Sequence, residues 1–229
     1  MAMARRTPSA SVGSVRIRAD GLLLDGLLTL PDGATGVVLF AHGSGSSRLS
    51  PRNRYVADGL HELGIGTLLF DLLTEIEAED RRLVFDVSLL ARRLCAATDW
   101  LRQQASSADL GVGYFGASTG AAAALLAAAA DPAIEAVVSR GGRPDLAAAS
   151  LPVVRAPTLL IVGGDDVTVL ELNQAAYARL RCEKRLEVVP GATHLFEEPG
   201  ALDQVMRLAG DWFVRHLHRP NVAVKRGVR

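Results

Sequence analysis

Short apolar runs of strand length recur along this chain, each followed by a segment with helical character. That alternation constrains the fold more than any single residue does. The runs are GVVLFAH at 36–42, GTLLFD at 66–71, LGVGYF at 110–115, AIEAVVS at 133–139, PTLLIVGG at 157–164 and RLEVVP at 185–190. Several are apolar at nearly every position, as a strand buried on both faces requires. Between them lie the helix candidates: Pro51 to Leu63, the alanine-rich stretch after Gly120, Asn173 to Arg181, and the series Leu202, Val205, Ala209 and Trp212. Leu83, Val87, Leu90, Leu94, Ala97 and Leu101 recur at three- and four-residue steps and predict a long amphipathic helix. Strands alternating with helices predict a single α/β domain, a mostly parallel sheet with helices on both faces, and a ligand site beyond the carboxyl ends of the strands. Ahead of this pattern, SVRIRAD and GLLLDGLLTLP, separated by Asp20 and Gly21, predict an antiparallel pair at the sheet edge.

The expected domain runs from 15 to 217, after a flexible lead at 1–14 and before a basic tail at 218–229. At 229 residues, 49% of them hydrophobic, the chain can bury one sizeable core. A formal net charge of zero gives no reason to expect nucleic acid or an anionic membrane as partner. A small-molecule substrate is expected, and a homo-oligomer stays open. Cys95 and Cys182 have neither a C-x-x-C nor a metal-like spacing, so no metal is expected. Two arginines near the N-terminus have no signal-length apolar run behind them, and AAAALLAAAA at 121–130 is too short to span a bilayer, so a cytoplasmic location is expected. The stretch between Ser139 and Thr158 has room for about one short helix, hence little or no lid.

Residues 111–126, GVGYFGASTGAAAALL, contain two motifs at once. Gly111, Gly113 and Gly116 spell G-x-G-x-x-G, a dinucleotide fingerprint, whereas Gly116, Ser118 and Gly120 spell G-x-S-x-G, a nucleophile elbow. The fingerprint needs a strand before its first glycine, and QQASSADL is a poor strand. The elbow needs strand, tight turn and helix in that order, which VGYF, GASTG and AAAALL supply. A nucleophile at positive φ brings the residues two before and two after it into close contact, so both positions favour glycine. The helix that follows directs its N–H groups and the positive end of its dipole to the space above Ser118.

A serine hydroxyl needs a base, and the base needs an orienting acid. Of five histidines, His61, His216 and His218 lie on or at the end of predicted helices and are expected at the surface. His42 ends a strand in HGSGSS and is expected to shape the loop. His194, in VVPGATHLF just after the last strand, remains as the base. Asp165 and Asp166 both follow a strand end, and either supplies the order serine, aspartate, histidine. The Thr119 and Ser44 backbone N–H groups are the expected oxyanion donors.

On HGSGSSRLSPRN, LLFDLLT, GYFGASTGAAAAL, VVSRGGRPDL, IVGGDDVTVLELN and GATHLFEEPG, the chain resembles an α/β-hydrolase of the dienelactone-hydrolase-like group over roughly 15–217. The resemblance implies an acid at the fourth position of G-x-x-D, which selects Asp166 with Asp165 as the fallback, and implies no cofactor. Dienelactone hydrolase itself uses a cysteine nucleophile where this chain has Ser118, so the dienelactone substrate is not implied. The expected activity is hydrolysis of a small ester through an acyl-enzyme, the alternative being a catalytically silent binding or scaffolding protein on the same fold. Arg48, Arg52, Arg140 and Arg143 follow predicted strands on the rim where substrate enters. Of these, Arg48, Arg52 and Arg140 are the expected substrate-binding residues.

Overall fold

A computed structural model describes residues 10–217. The chain enters through a hairpin, β1 (Ala10–Ala19) and β2 (Leu22–Pro31), and strand pairing therefore begins inside the segment expected to be a flexible lead. Asp20 and Gly21 both have positive φ (49° and 78°), the conformation that a two-residue turn between right-handed twisted strands demands. The tail at 218–229, and His218 with it, lies outside the described residues.

The remaining strands are β3 (Gly36–Ala41), β4 (Gly66–Phe70), β5 (Gly111–Ala117), β6 (Ile134–Arg140), β7 (Thr158–Gly163) and β8 (Lys184–Val189). They form one eight-stranded sheet in the order β1-β2-β4-β3-β5-β6-β7-β8, parallel from β4 to β8, with the hairpin antiparallel at one edge as expected. The order reverses around β3, because β4 lies on one side of it and β5 on the other. The crevice beyond the ends of β3 and β5 is therefore the topological switch point of the sheet.

The apolar runs are continuous because successive side chains feed two different cores. Val37 and Leu39 point to one buried cluster, and Val38 and Phe40 to the other. Helices α4 (Val87–Arg102), α5 (Thr119–Ala130) and α6 (Val167–Arg179) cover the first face, while α1 (Pro51–Glu62) and α7 (Ala201–His216) cover the second. Alanine fills most of α5, which lets it lie close to the sheet: Ala121 to Ala124 are fully buried.

The single helix expected from Leu83 onward is broken. Two one-turn segments, α2 (Glu75–Ala78) and α3 (Arg81–Val84), precede α4, whose N-cap Asp86 accepts from Leu89 N–H. Thr74 and Glu77 form a capping box at α2, and Glu77 also carries a bidentate pair with Arg93 of α4, at 2.7 and 2.6 Å. Arg93 is 2% exposed and also donates to the Leu72 carbonyl at 2.8 Å, so these contacts pin the β4–α4 connection to the body of the protein. The segment between β6 and β7 contains two short 3₁₀ turns, at Pro144–Ala147 and Leu151–Val153, and no lid domain. Among the described residues, no helix is long and apolar enough to cross a membrane.

Candidate active site

Ser118 follows β5 and precedes α5 with φ 50° and ψ −120°, a conformation rare for any residue with a side chain. The flanking glycines make it attainable. A Cβ at Gly116 would overlap the backbone of Ala121 and the Gly120 carbonyl oxygen, and one at Gly120 would overlap the Ala41 and His42 carbonyl oxygens. The turn is held from outside as well: Ser118 N–H donates to the Arg140 carbonyl (3.2 Å), and the Ser118 carbonyl accepts from Arg143 N–H (3.1 Å). As the first residue of α5, Thr119 has no intrahelical acceptor for its N–H, the feature expected of an oxyanion donor.

The His194 ring lies 2.6 Å, Nδ1 to Oδ2, from the Asp166 carboxylate. An ionised carboxylate only accepts, so Nδ1 carries the proton and Nε2 is left as the basic nitrogen. Asp166 occupies the N-cap position of α6, yet its side chain makes no cap bond and turns to the histidine instead. Asp165, the fallback, is exposed, and the carboxylate that pairs with the histidine is that of Asp166. The two loops are stitched together by Gly164 N–H to the Val189 carbonyl (2.8 Å) and Asp165 N–H to the Ala192 carbonyl (3.0 Å). Gly163 sits so close beneath the second loop that a Cβ there would overlap the Ala192 carbonyl oxygen.

Ser118 and His194 line one cavity of about 160 Å³, together with Gly43, Ser44, Ser46, Ser50, Arg52, Ala117, Arg140 and Leu195. The serine, the histidine and two of the expected arginines thus converge. Arg140 is 7% exposed, its guanidinium stands 5.8 Å from the Phe196 ring, and burial together with the neighbouring charge of Arg52 brings its pKa down to about 10. It stays cationic near neutral pH. Arg52 binds Glu197 at 3.0 Å on the exposed side of the cavity.

Three expectations need correcting. Arg48 is not in the Ser118 cavity: its guanidinium pairs with Asp71 and its N–H donates to the same carboxylate at 2.7 Å. It lines a neighbouring cavity of about 210 Å³ with Leu73, Val84 and Leu90, which shares the Gly43–Ser46 wall with the first. The Ser44 N–H, expected to face an oxyanion, donates to Thr119 Oγ1 at 3.1 Å, because the threonine hydroxyl reaches back over the turn. His61 and His216 are partly buried, not surface residues: His61 Nε2 lies 2.7 Å from Thr67 Oγ1, and His216 packs on Trp212 with ring centroids 4.5 Å apart. Arg143, on the same rim, pairs with Asp145 at 2.8 Å.

His42 does shape the loop. Its Nε2 accepts from Leu72 N–H at 3.0 Å, so Nδ1 holds the proton, 3.1 Å from the Gly43 carbonyl. Burial lowers its pKa and keeps it neutral. Asn173, not among the expected site residues, is fully buried and donates from Nδ2 to the Gly142 carbonyl at 2.9 Å, tying the loop after Arg140 to α6. A polar residue on the inward side of an otherwise apolar helix face was the available signal.

The dienelactone hydrolase family model matches residues 24–210. A Mycobacterium tuberculosis protein provisionally named a phosphoribosyl transferase is 61% identical over 208 residues, which is 90% of this chain and 47% of that protein. The chain thus spans about half the length of this curated relative. The crystal structure of a dienelactone hydrolase from Anabaena variabilis is similar with a TM-score of 0.89 at 55% identity, covering 93% of this chain and all of that one. Est1E from Butyrivibrio proteoclasticus has a TM-score of 0.77 at 17% identity over 89% of this chain and 98% of its own, a likeness of fold alone.

Proposed function

The chain belongs to the dienelactone hydrolase family, and on that premise we propose that it is a serine hydrolase that cleaves small esters or related acyl bonds through an acyl-enzyme. One observation carries the reading: a His194–Asp166 pair at 2.6 Å borders the cavity into which a strained Ser118 opens. Nε2 of His194 takes the Ser118 proton as Oγ attacks the substrate carbonyl, and Asp166 holds the imidazole in the tautomer that leaves Nε2 basic. The tetrahedral oxyanion is stabilised by the Thr119 N–H and the N-terminal end of α5. His194 then protonates the leaving group. A water molecule, deprotonated by the same nitrogen, releases the acid and regenerates Ser118.

With Ser118 in place of the cysteine of dienelactone hydrolase itself, the nucleophile is a hydroxyl, which depends on the neighbouring base for its activation. The phosphoribosyl transferase name belongs to an M. tuberculosis relative about twice as long as this chain, so it need not describe the half that matches. A silent binding protein would carry the cost of holding Ser118 at positive φ, on the order of 1–3 kcal/mol, without using the strained side chain.

The test is covalent labelling. A fluorophosphonate probe should modify Ser118 in the wild-type protein and leave Ser118→Ala unlabelled, with p-nitrophenyl acetate turnover lost in the variant and its Tm retained. A folded wild-type protein that takes no label, or a Ser118→Ala variant that still turns over the ester, removes the serine mechanism.

A further inference from the structure

Arg140 is a buried cation without a carboxylate. Among the described residues, Arg48, Arg93, Arg102 and Arg143 each lie against an acidic side chain, whereas Arg140 has no acidic side chain within salt-bridge distance. Its Nε is buried with no hydrogen-bond partner, and the buried Nε of Arg52 across the same cavity is also without one. Leaving a desolvated guanidinium unpaired is costly, and placing a second one beside it costs more. The Phe196 ring offsets only part of that. An arrangement of this kind is stable when an anion completes it.

Two guanidinium forks address more oxygens than a planar carboxylate offers. Each fork presents Nε–H and Nη–H groups in parallel, and one fork is enough for a carboxylate. Two forks from different elements, β6 and α1, match the three terminal oxygens of a tetrahedral group. The position is close to the chemistry, because the Arg140 carbonyl accepts the Ser118 N–H at 3.2 Å.

We infer that Arg140 and Arg52 form a subsite for a phosphate monoester carried by the substrate, a few bonds from the carbonyl that Ser118 attacks. This rests on the hydrolase reading for the word substrate, although the anion site itself does not depend on it. The cavity, about 160 Å³ in volume, has room for the phosphate together with a small acyl or alkyl group. Glu197, 64% exposed at the mouth, holds Arg52 until the phosphate displaces it.

The experiment titrates inorganic phosphate into the full chain carrying Ser118→Ala, by calorimetry at constant ionic strength, with acetate as the control anion. Phosphate should bind saturably, acetate should not displace it at equal concentration, and adding Arg140→Met should weaken phosphate binding by at least tenfold. Because a change at a buried arginine can unfold the protein, Arg52→Gln, at the mouth, provides a second variant and should also weaken binding severalfold. No phosphate binding by the folded protein, binding unchanged in Arg52→Gln, or acetate competing equally would overturn the subsite. Fluorophosphonate labelling of the wild type is scored separately. Labelling without phosphate binding removes the subsite alone, and phosphate binding without labelling removes the hydrolase alone.

Discussion

At the scale of single residues, the candidate site depends on where protons are held. Asp166 has one geometric task, accepting from His194 Nδ1–H at 2.6 Å, and it forgoes the helix-cap bond it is placed to make. Asp166→Asn keeps the shape but offers an N–H where an acceptor is needed, so the imidazole moves its proton to Nε2 and, in the proposed mechanism, can no longer take one from Ser118. The expected result is a kcat for p-nitrophenyl acetate lower by about 10³- to 10⁴-fold. Tm should shift little, because the pair is partly solvated, with side-chain exposures of 39% for His194 and 14% for Asp166. A kcat within tenfold of wild type would mean that the pair is structural. Much of this residue chemistry was legible beforehand, because strand ends point to sites in a parallel sheet. Ser118, Asp166 and His194 lie in the loops that leave β5, β7 and β8, Arg140 is the last residue of β6, and Arg52 is the second residue of α1. The partners of Arg48 and of the Ser44 N–H were not legible, since Asp71 lies 23 positions from Arg48, and Thr119 lies 75 from Ser44.

Among the elements, the connection from β4 to α4 is the least regular part of the fold and is held by charge. The apolar series runs at helical spacing from Leu83 through Val87 to Leu101, but Asp80 and Asp86 each turn their side chains to cap a new helix start, and local capping wins over periodicity. α6 shows the opposite error. It begins at Val167, six residues before the expected start, because the β-branched Val167, Thr168 and Val169 masked the helix until packing decided it. The Arg93–Glu77 pair holds the Glu77 carboxyl down to about 2. A carboxylate whose folded pKa is depressed contributes its stability in full above its ordinary pKa, and that contribution is lost as pH falls from about 4.5 toward 2. Glu77→Gln should therefore destabilise the protein by about 3 kcal/mol near neutral pH, since it leaves the buried Arg93 guanidinium with only the Leu72 carbonyl and the more distant Asp20 carboxylate at 3.6 Å. The difference from wild type should shrink over that acid range. Urea denaturation at pH 7 and pH 3 measures both, and an equal difference at the two pH values would show that the pair does not carry the effect.

For the whole molecule, one sheet serves two cores. Trp100 of α4 packs on one core and Trp212 of α7 belongs to the other, so the two tryptophans report opposite faces. Because every strand from β3 to β7 sends side chains to both faces, neither core can open without losing the strands that support the other. Trp100→Phe and Trp212→Phe, each leaving one reporter, should give coincident guanidinium unfolding midpoints once corrected for the stability change of each substitution. Separate transitions would mean that the faces unfold independently. The sequence by itself determined the strands and most of the helices, their parallel stacking, the elbow, and the strand ends at which the serine, aspartate and histidine stand. These follow from periodicity, from glycine's missing Cβ, and from the rule that sites form beyond strand ends, all of which act over a few neighbouring residues. The tertiary structure alone decided which arginines are neutralised and which are left bare, because pairing depends on distances between loops far apart in the chain. Arg48 found Asp71, Arg93 found Glu77, and Arg140 was enclosed beside Arg52 and Phe196 with no acid in reach.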